Sequence, residues 1–215
     1  DRFTTSSNPD ITPPDTRITR KEPDRAKLNV NTIKVWFDST EPGSTFQCKL
    51  GNQANWSSCS SGQEFSIAGL GDGVYRFFVR ALDAVGNADP DPAWWEFEID
   101  RTPTASPQNL SVRSGDGVAL LSWDAPGDSD LAGFQIYASF QQGFDYRTCN
   151  CRVAQVGKDS RSFLLQNLEN GRVSYIRVTA LDEAGNESGS TFEETATPDE
   201  VSVWVSDFPK SGLDV

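Results

Sequence analysis

One motif that occurs twice indicates the fold class: VRALDAVGN at residues 79–87 and VTALDEAGN at residues 178–186. The copies begin 99 residues apart, and they keep the same valine, alanine, leucine, aspartate, glycine and asparagine in register. A repeat of about 100 residues matches the length of one β-sandwich domain. The motif therefore predicts two domains of similar size in tandem within the 215 residues of the chain.

Each copy of the motif is typical of a strand that runs into a tight turn. Valine and alanine alternate with other residues up to Asp83 or Asp182, as on a half-buried strand. A carboxylate at this point can accept hydrogen bonds from nearby backbone amides, and the following Gly-Asn pair tolerates positive φ. We expect the two aspartates to close the same turn in both domains.

On both sides of the motif, short runs of apolar residues alternate with polar ones at a period of two. No window shows the apolar repeat of 3.6 residues that is typical of an amphipathic helix. The predicted strands of the first half are 32–38, 45–50, 64–67, 74–82 and 94–99. Those of the second half are 109–113, 118–123, 133–138, 152–156, 162–165, 172–181 and 191–197. The pattern predicts an all-β fold of two immunoglobulin-like antiparallel β-sandwiches in tandem.

Composition shifts set the expected domain boundaries. Residues 1–27 are rich in Thr, Pro, Asp and Arg and predict a largely unstructured linker, although a first strand could begin as early as residue 14. The first domain is expected over 28–102 and the second over 103–198, with a short, stiff connection at Pro103 and Pro107. Residues 199–215 form a tail, and the pattern over 198–208 fits a helix or a strand equally.

Charge and residue content exclude several functional classes. The net charge of −12 argues against nucleic-acid binding, because it repels phosphate backbones. No histidine is present, so a Ser-His-Asp triad or a histidine-ligated metal cannot be built from this chain. We expect a non-catalytic monomer without a cofactor. Its numbering starts at Asp1, within a longer product, and any membrane anchor would lie outside these residues.

Two stretches resemble known domain families. Residues 14–101 resemble a bacterial immunoglobulin-like surface domain, through EPGSTFQC at 41–48 and GLGDGVY at 69–75. Residues 103–197 resemble a fibronectin type III domain, through PQNL at 107–110, LLSW at 120–123 and DSDLAGF at 128–134. The resemblance implies that Tyr75 is the corner tyrosine of the first domain. In the second domain Ser174 takes that position, one place before Tyr175.

Four cysteines in a chain of this kind predict two disulfides and an oxidising compartment: the cell envelope, the periplasm or the extracellular surface. The first resemblance implies a bond between Cys48 and Cys59, which flank one hairpin. Cys149 and Cys151 are too far apart on a regular strand to bond, so a bond between them needs a kinked backbone. A redox or intermolecular role remains the alternative for this pair.

Four aromatic residues are candidates for binding a protein or glycan partner. Phe140, Phe144 and Tyr146 occur in a Gln/Gly-rich connection, where the alternative is that they fold back over the sandwich edge. Trp94 is expected to point outward with Glu96 and Glu98, and its alternative role is a contact between domains.

Acidic residues give a weak case for calcium at Asp128 and Asp130, or at Asp83, Asp89 and Asp91. Neither spacing matches an established calcium loop, so solvated turns are the competing explanation. We therefore commit to no metal.

The sequence as a whole predicts a structural and adhesive module of a bacterial envelope or extracellular protein, acting as a spacer and protein-interaction scaffold. The alternatives are a recognition subunit that uses residues 140–151, and an accessory part of a secreted hydrolase.

Overall fold

The computed structural model describes residues 10–51 and 53–200. Every regular element within these residues is a β-strand, which confirms the predicted all-β fold class. The chain divides into two compact units with the boundary between Arg101 and Thr102. No helix in the described ranges has the length and apolar character needed to cross a bilayer.

The first unit contains eight strands in two sheets. They are β1 (Thr16–Glu22), β2 (Lys27–Leu28), β3 (Thr32–Ser39), β4 (Thr45–Leu50), β5 (Ser57–Cys59), β6 (Glu64–Ser66), β7 (Gly73–Leu82) and β8 (Ala93–Ile99). One sheet has the order β1-β3-β6 and the other has the order β2-β8-β7-β4-β5.

Residues 16–22 of the predicted linker form β1, which pairs antiparallel with β3, in agreement with the alternative of a first strand from about residue 14. Apolar periodicity does not mark this strand, because polar contacts hold it in place. The Thr16 hydroxyl accepts a hydrogen bond from the Ala81 amide at 2.8 Å, and the Thr16 amide donates to the Asp89 carboxylate at 2.8 Å. Residues 1–9 of the same prediction lie outside the described residues.

The second unit also contains eight strands. They are β9 (Gln108–Gly115), β10 (Val118–Asp124), β11 (Leu131–Ser139), β12 (Arg152–Gly157), β13 (Ser162–Leu165), β14 (Ser174–Asp182), β15 (Glu187–Ser190) and β16 (Glu194–Ala196). One sheet has the order β13-β10-β9, and the other has the order β12-β11-β14-β15 with β16 also paired to β14.

The last strand of the second unit differs from its prediction. A single strand over 191–197 was expected, but only residues 194–196 of this range form a strand, β16. β15 lies before the predicted range, at Glu187–Ser190, and the two strands pair with different parts of β14. Thr191 lies between them, and its hydroxyl accepts a hydrogen bond from the Val178 amide at 3.1 Å. This side-chain contact replaces a ladder bond and interrupts the strand.

Alternation on each strand builds a separate core in each unit. In the first unit the buried side chains of β7 and β8 are Phe77, Val79, Ala81, Trp95, Phe97 and Ile99. In the second unit Trp123 of β10 packs against Phe134 of β11 with ring centroids 5.3 Å apart. Full burial of each such side chain contributes about 1.5–3 kcal/mol. The two buried clusters have no residue in common, so each unit has its own apolar core.

The repeated motif closes both units with the turn expected from the sequence. The Asp83 carboxylate accepts hydrogen bonds from the backbone amides of Val85, Gly86 and Asn87 at 2.7–2.9 Å. The Asp182 carboxylate accepts one from the Asn186 amide at 2.7 Å. The glycine of each copy has positive φ, 97° in the first and 87° in the second. The repeat therefore preserves a turn, which explains why its polar residues match as well as its apolar ones.

The tyrosine corner implied by the resemblance is present in the first unit. Tyr75 donates its hydroxyl to the Gly71 carbonyl, four residues upstream, at 3.1 Å. At the corresponding place in the second unit Ser174 is buried and Tyr175 is half-buried. The question of helix or strand over 198–208 falls largely on residues 201–208, which lie outside the described part of the chain.

Candidate functional site

The connection between β11 and β12 does not present the aromatic patch that the sequence predicted. Phe144 and Tyr146 are buried in a small cluster with Tyr137 of β11. Tyr146 donates its hydroxyl to the Ser188 carbonyl at 3.1 Å, which holds the ring against the domain. The expectation that these two rings face a partner is therefore wrong, because both fold back over the sandwich edge, where the Tyr146 hydroxyl is hydrogen-bonded.

Tyr137 ties this small cluster to the sheet below it. Its hydroxyl donates to the Glu187 carboxylate at 2.7 Å, and the Thr179 hydroxyl donates to the same oxygen at 2.6 Å. Burial raises the pKa of Tyr137, and the hydrogen bond and negative charge of Glu187 raise it further. The phenol therefore stays protonated and acts as a structural donor.

Cys149 and Cys151 bond to each other, with Cα atoms 5.2 Å apart. The backbone between the two cysteines is kinked, as a bond between residues only two positions apart requires. Residues 146–150 form turns and bends, and the amides of Thr148 and Cys149 both donate to the Asp145 carbonyl. Both cysteines pack against the cluster around Tyr137, so the bond fastens the connection over its own aromatic residues.

Phe140 is the member of the predicted patch that remains at the surface. Its side chain is 53% exposed. The Arg172 guanidinium lies over the ring, 3.4 Å from its centroid. One ring under one cation is a small surface, and it does not constitute the broad patch that a recognition subunit would expose.

Trp94 points outward on β8, as the alternation predicts, and is 56% exposed. It belongs to a larger surface, the aromatic face, which we define by six side chains on the outer side of the five-stranded sheet. The aromatic face consists of Trp56, Phe78, Trp94, Lys49, Arg76 and Arg80. Phe78 of β7 lies directly opposite Trp94 in register and directly opposite Lys49 of β4 on its other side.

Sequence reasoning identified Trp94 and missed its neighbours. Phe78 follows the buried Phe77 on β7, so the alternation of side chains along a strand is enough to predict that Phe78 lies on the outer side. Trp56 precedes β5, a three-residue strand that the sequence pattern did not predict. Only the pairing of β4 with β5 and β7 brings these rings to one surface.

The candidate calcium ligand Asp128 is engaged in local structure. Its carboxylate accepts hydrogen bonds from the Thr104 hydroxyl at 2.5 Å and from the Ala105 amide at 2.8 Å. The bond from Thr104 and the bond from Ala105 lower the pKa of Asp128. This carboxylate fixes the start of the second unit to the connection before β11.

Within the first unit, Asp10, Glu41 and Asp83 bring carboxylate oxygens within 4.8 Å of one another. Oxygen ligands of this type suit calcium. However, Asp83 already accepts three backbone amides and the Asn87 side chain, so its lone pairs serve the turn. The geometry here is that of a capped turn.

Residues 105–195 match the family model of the fibronectin type III domain. This similarity is confined to the second unit. The match spans β9 to β15 and includes the Trp123 core strand on which the resemblance rested. The connection that carries the Cys149–Cys151 bond lies between β11 and β12, within the matched region.

A second comparison matches about half of the chain to part of an enzyme. The chain is 35% identical over 107 residues to an amylopullulanase of Thermoanaerobacterium thermosulfurigenes, a match that covers 49% of this chain and 5% of that enzyme. The chain thus spans a small fraction of the relative that it matches.

Solved structures with similar folds are the FN1–FN3 domains of chicken CNTN1 and the fibronectin(III)-like modules of CbhA from Clostridium thermocellum. For the first, the TM-score is 0.58 and the identity is 14%, over 87% of this chain and 69% of that chain. For the second, the TM-score is 0.57 and the identity is 12%, over 86% of this chain and 94% of that chain. At such identities the similarity shows the fold alone, that of antiparallel β-sandwich domains.

Proposed function

We propose that this chain is a non-catalytic structural module of a secreted or cell-envelope bacterial protein, in which it acts as a spacer and protein-interaction scaffold. The observation that carries the proposal is the presence of two complete β-sandwich cores, one of them a fibronectin type III domain. Domains of this kind serve many proteins as platforms, and function is carried by the sites they bear.

The use of buried acidic groups supports a structural role. Asp83, Asp89 and Asp182 all accept hydrogen bonds from backbone amides in turns or at strand ends. Carboxylates committed in this way hold the chain in shape, and a general acid or base would need its lone pairs or proton for a substrate.

The two disulfides support an oxidising location. The match to a small part of a much longer enzyme supports a place as one accessory part of a multidomain protein. We therefore propose the cell envelope or the extracellular space as the working location.

The test uses the purified chain with two readouts. Incubation with pullulan and with casein should release no reducing ends and no peptides above the buffer rate. Turnover that disappears in Asp182→Asn would contradict the non-catalytic part of the proposal. For the scaffold part, the immobilised chain should retain purified envelope proteins saturably. An absence of saturable retention would contradict that part.

A further inference from the structure

The aromatic face crosses four strands of one sheet. Trp94 lies on β8, Phe78 on β7 and Lys49 on β4, and these three are in direct register. Trp56 immediately precedes β5, at the sheet edge. Since neighbouring strands lie about 4.8 Å apart, the row extends for roughly 14 Å. The opposite side of the same strands is the core, so the row stands on a rigid base.

Cations lie between and over these rings. The Lys49 ammonium is 4.9 Å from the Trp56 centroid and 5.1 Å from the Phe78 centroid. The Arg80 guanidinium is 4.5 Å from the Trp56 centroid, and that of Arg76 is 4.9 Å from the Trp94 centroid. Contacts in this range are attractive and restrict the long side chains, so their donors are held in place beside the rings.

The aromatic face is positively charged, whereas the chain as a whole is negatively charged. Arg80 donates two hydrogen bonds to the neutral amide of Gln47, at 2.7 and 3.0 Å. Arg76 pairs with Glu96 at 2.8 Å. Glu98, further along the same side of β8, pairs with Lys27 at 4.0 Å. The aromatic face therefore presents three cations beside one carboxylate, in a chain whose net charge is −12.

These observations select the chemistry of an occupant. In this row Trp94 is exposed, whereas Phe78 and Trp56 are half-buried. Aromatic rings at a surface favour flat apolar groups, such as the C–H faces of sugars, because the ring faces carry partial negative charge. Cations held at the same surface favour carboxylates, which accept charge-assisted hydrogen bonds from guanidinium and ammonium groups. Polar side chains at the neighbouring end of β4 and β5 add hydroxyl groups beside Gln47, in a shallow depression of about 510 Å³ that includes Ser44, Thr45 and Ser58.

We propose that the aromatic face of the first domain binds an acidic polysaccharide that carries uronate groups. The sugar rings stack on Trp94, Phe78 and Trp56, and the uronate carboxylates accept hydrogen bonds from Arg76, Arg80 and Lys49. A protein partner is the less suitable occupant, because a stable protein interface needs about 800 Å² from each side and the row is narrow. Binding here goes beyond the scaffold role, and its failure would leave that role standing.

Affinity electrophoresis of the whole chain in native gels tests the proposal. Polygalacturonate in the gel should retard the chain, pullulan should not, and added salt should weaken the retardation because exposed charges are screened. Trp94→Ala and Arg80→Gln should each weaken the affinity for polygalacturonate by about tenfold, the loss typical of a central contact. Trp94→Phe should retain part of the binding.

Matched controls come from the second domain. Phe192→Ala removes a ring that is 89% exposed, and Arg172→Gln removes a cation that also lies over an aromatic ring. Both should bind as the wild type does, and unchanged melting temperatures should show that the face variants are folded. Equal retardation by pullulan, no retardation by polygalacturonate, retention by a protein ligand alone, or equal losses in the control variants would overturn the proposal.

Discussion

Asn87 donates its side-chain amide to the Asp83 carboxylate at 2.7 Å, across the turn that ends β7. The equivalent contact in the second domain, between Asn186 and Asp182, measures 2.8 Å. In each turn the other carboxylate oxygen receives backbone amides, so both oxygens of each aspartate are engaged. These hydrogen bonds favour the ionised form of Asp83, whose pKa lies below its ordinary value.

The first prediction concerns acid stability. Burial raises the pKa of Asp83, but the hydrogen bonds from Asn87, Val85 and Gly86 lower it by a larger amount. The resulting pKa is below the ordinary value. The resulting stabilisation is complete above the unfolded-state pKa of about 3.9 and is lost as pH falls through the folded-state value. Urea midpoints measured from pH 7 to pH 2.5 should fall more steeply for the wild type than for Asp83→Asn. Parallel curves would contradict this explanation.

The second prediction concerns the disulfides. Cys48 and Cys59 enclose ten residues, so Cys48→Ala/Cys59→Ala should cost about 2–3 kcal/mol of the free energy of unfolding of the first domain. Cys149→Ala/Cys151→Ala should cost less, because the ring encloses one residue and removes less freedom from the unfolded chain. Guanidinium denaturation of both variants checks the order. Thiol titration of the denatured, unreduced wild type should find no free thiol.

The third prediction uses two paired glycines. Gly133 of β11 lies opposite Gly157 of β12, and a Cβ added at Gly133 would overlap the Val156 carbonyl oxygen. Gly133→Ala should therefore destabilise the second domain by about 1–3 kcal/mol, since two backbone segments must separate. Gly157→Ala is the matched control, because its Cβ would meet nothing within 4 Å. Similar denaturation midpoints for the two variants would refute the steric argument.

The fourth prediction concerns the corner of the first domain. Tyr75→Phe removes the hydroxyl that donates to the Gly71 carbonyl and keeps the ring. We expect a loss of about 1 kcal/mol, the usual net contribution of one hydrogen bond. Tyr175→Phe provides the comparison at the shifted position in the second domain and should have a smaller effect. Thermal unfolding of both variants measures the two losses of stability. A larger loss in Tyr175→Phe than in Tyr75→Phe would reject the assignment of Tyr75 as the corner tyrosine.

Local chemistry made the turns and most strands predictable. The aspartate, glycine and asparagine of the repeat act within nine residues, and inward alternation on β7 and β8 is visible in the sequence itself. The β1 strand was not predictable in this way, because Thr16 is held by Ala81 and Asp89, which are distant in the chain. Polar anchoring of this kind leaves no apolar period to detect.

The positions of some candidate binding residues follow from the local sequence, whereas others depend on contacts with distant segments. Trp94 is outward because its neighbours on the strand are inward, which is a local property. The burial of Tyr146 depends on the Ser188 carbonyl, 42 residues further along the chain, and composition of the connection cannot reveal it. The aromatic face depends on the register of β4 with β7 and of β7 with β8, which sets rings from separate segments side by side.

The Cys48–Cys59 bond joins β4 to β5, which is the outermost strand of its sheet and only three residues long. An outermost strand exposes unpaired backbone groups on which another chain can add a strand. Because the covalent bond keeps so short a strand paired, the longer β4 behind it stays covered. Reduction of this bond would uncover the backbone of the three β4 residues that pair with β5, Phe46 to Cys48, and we expect the reduced protein to aggregate through that edge.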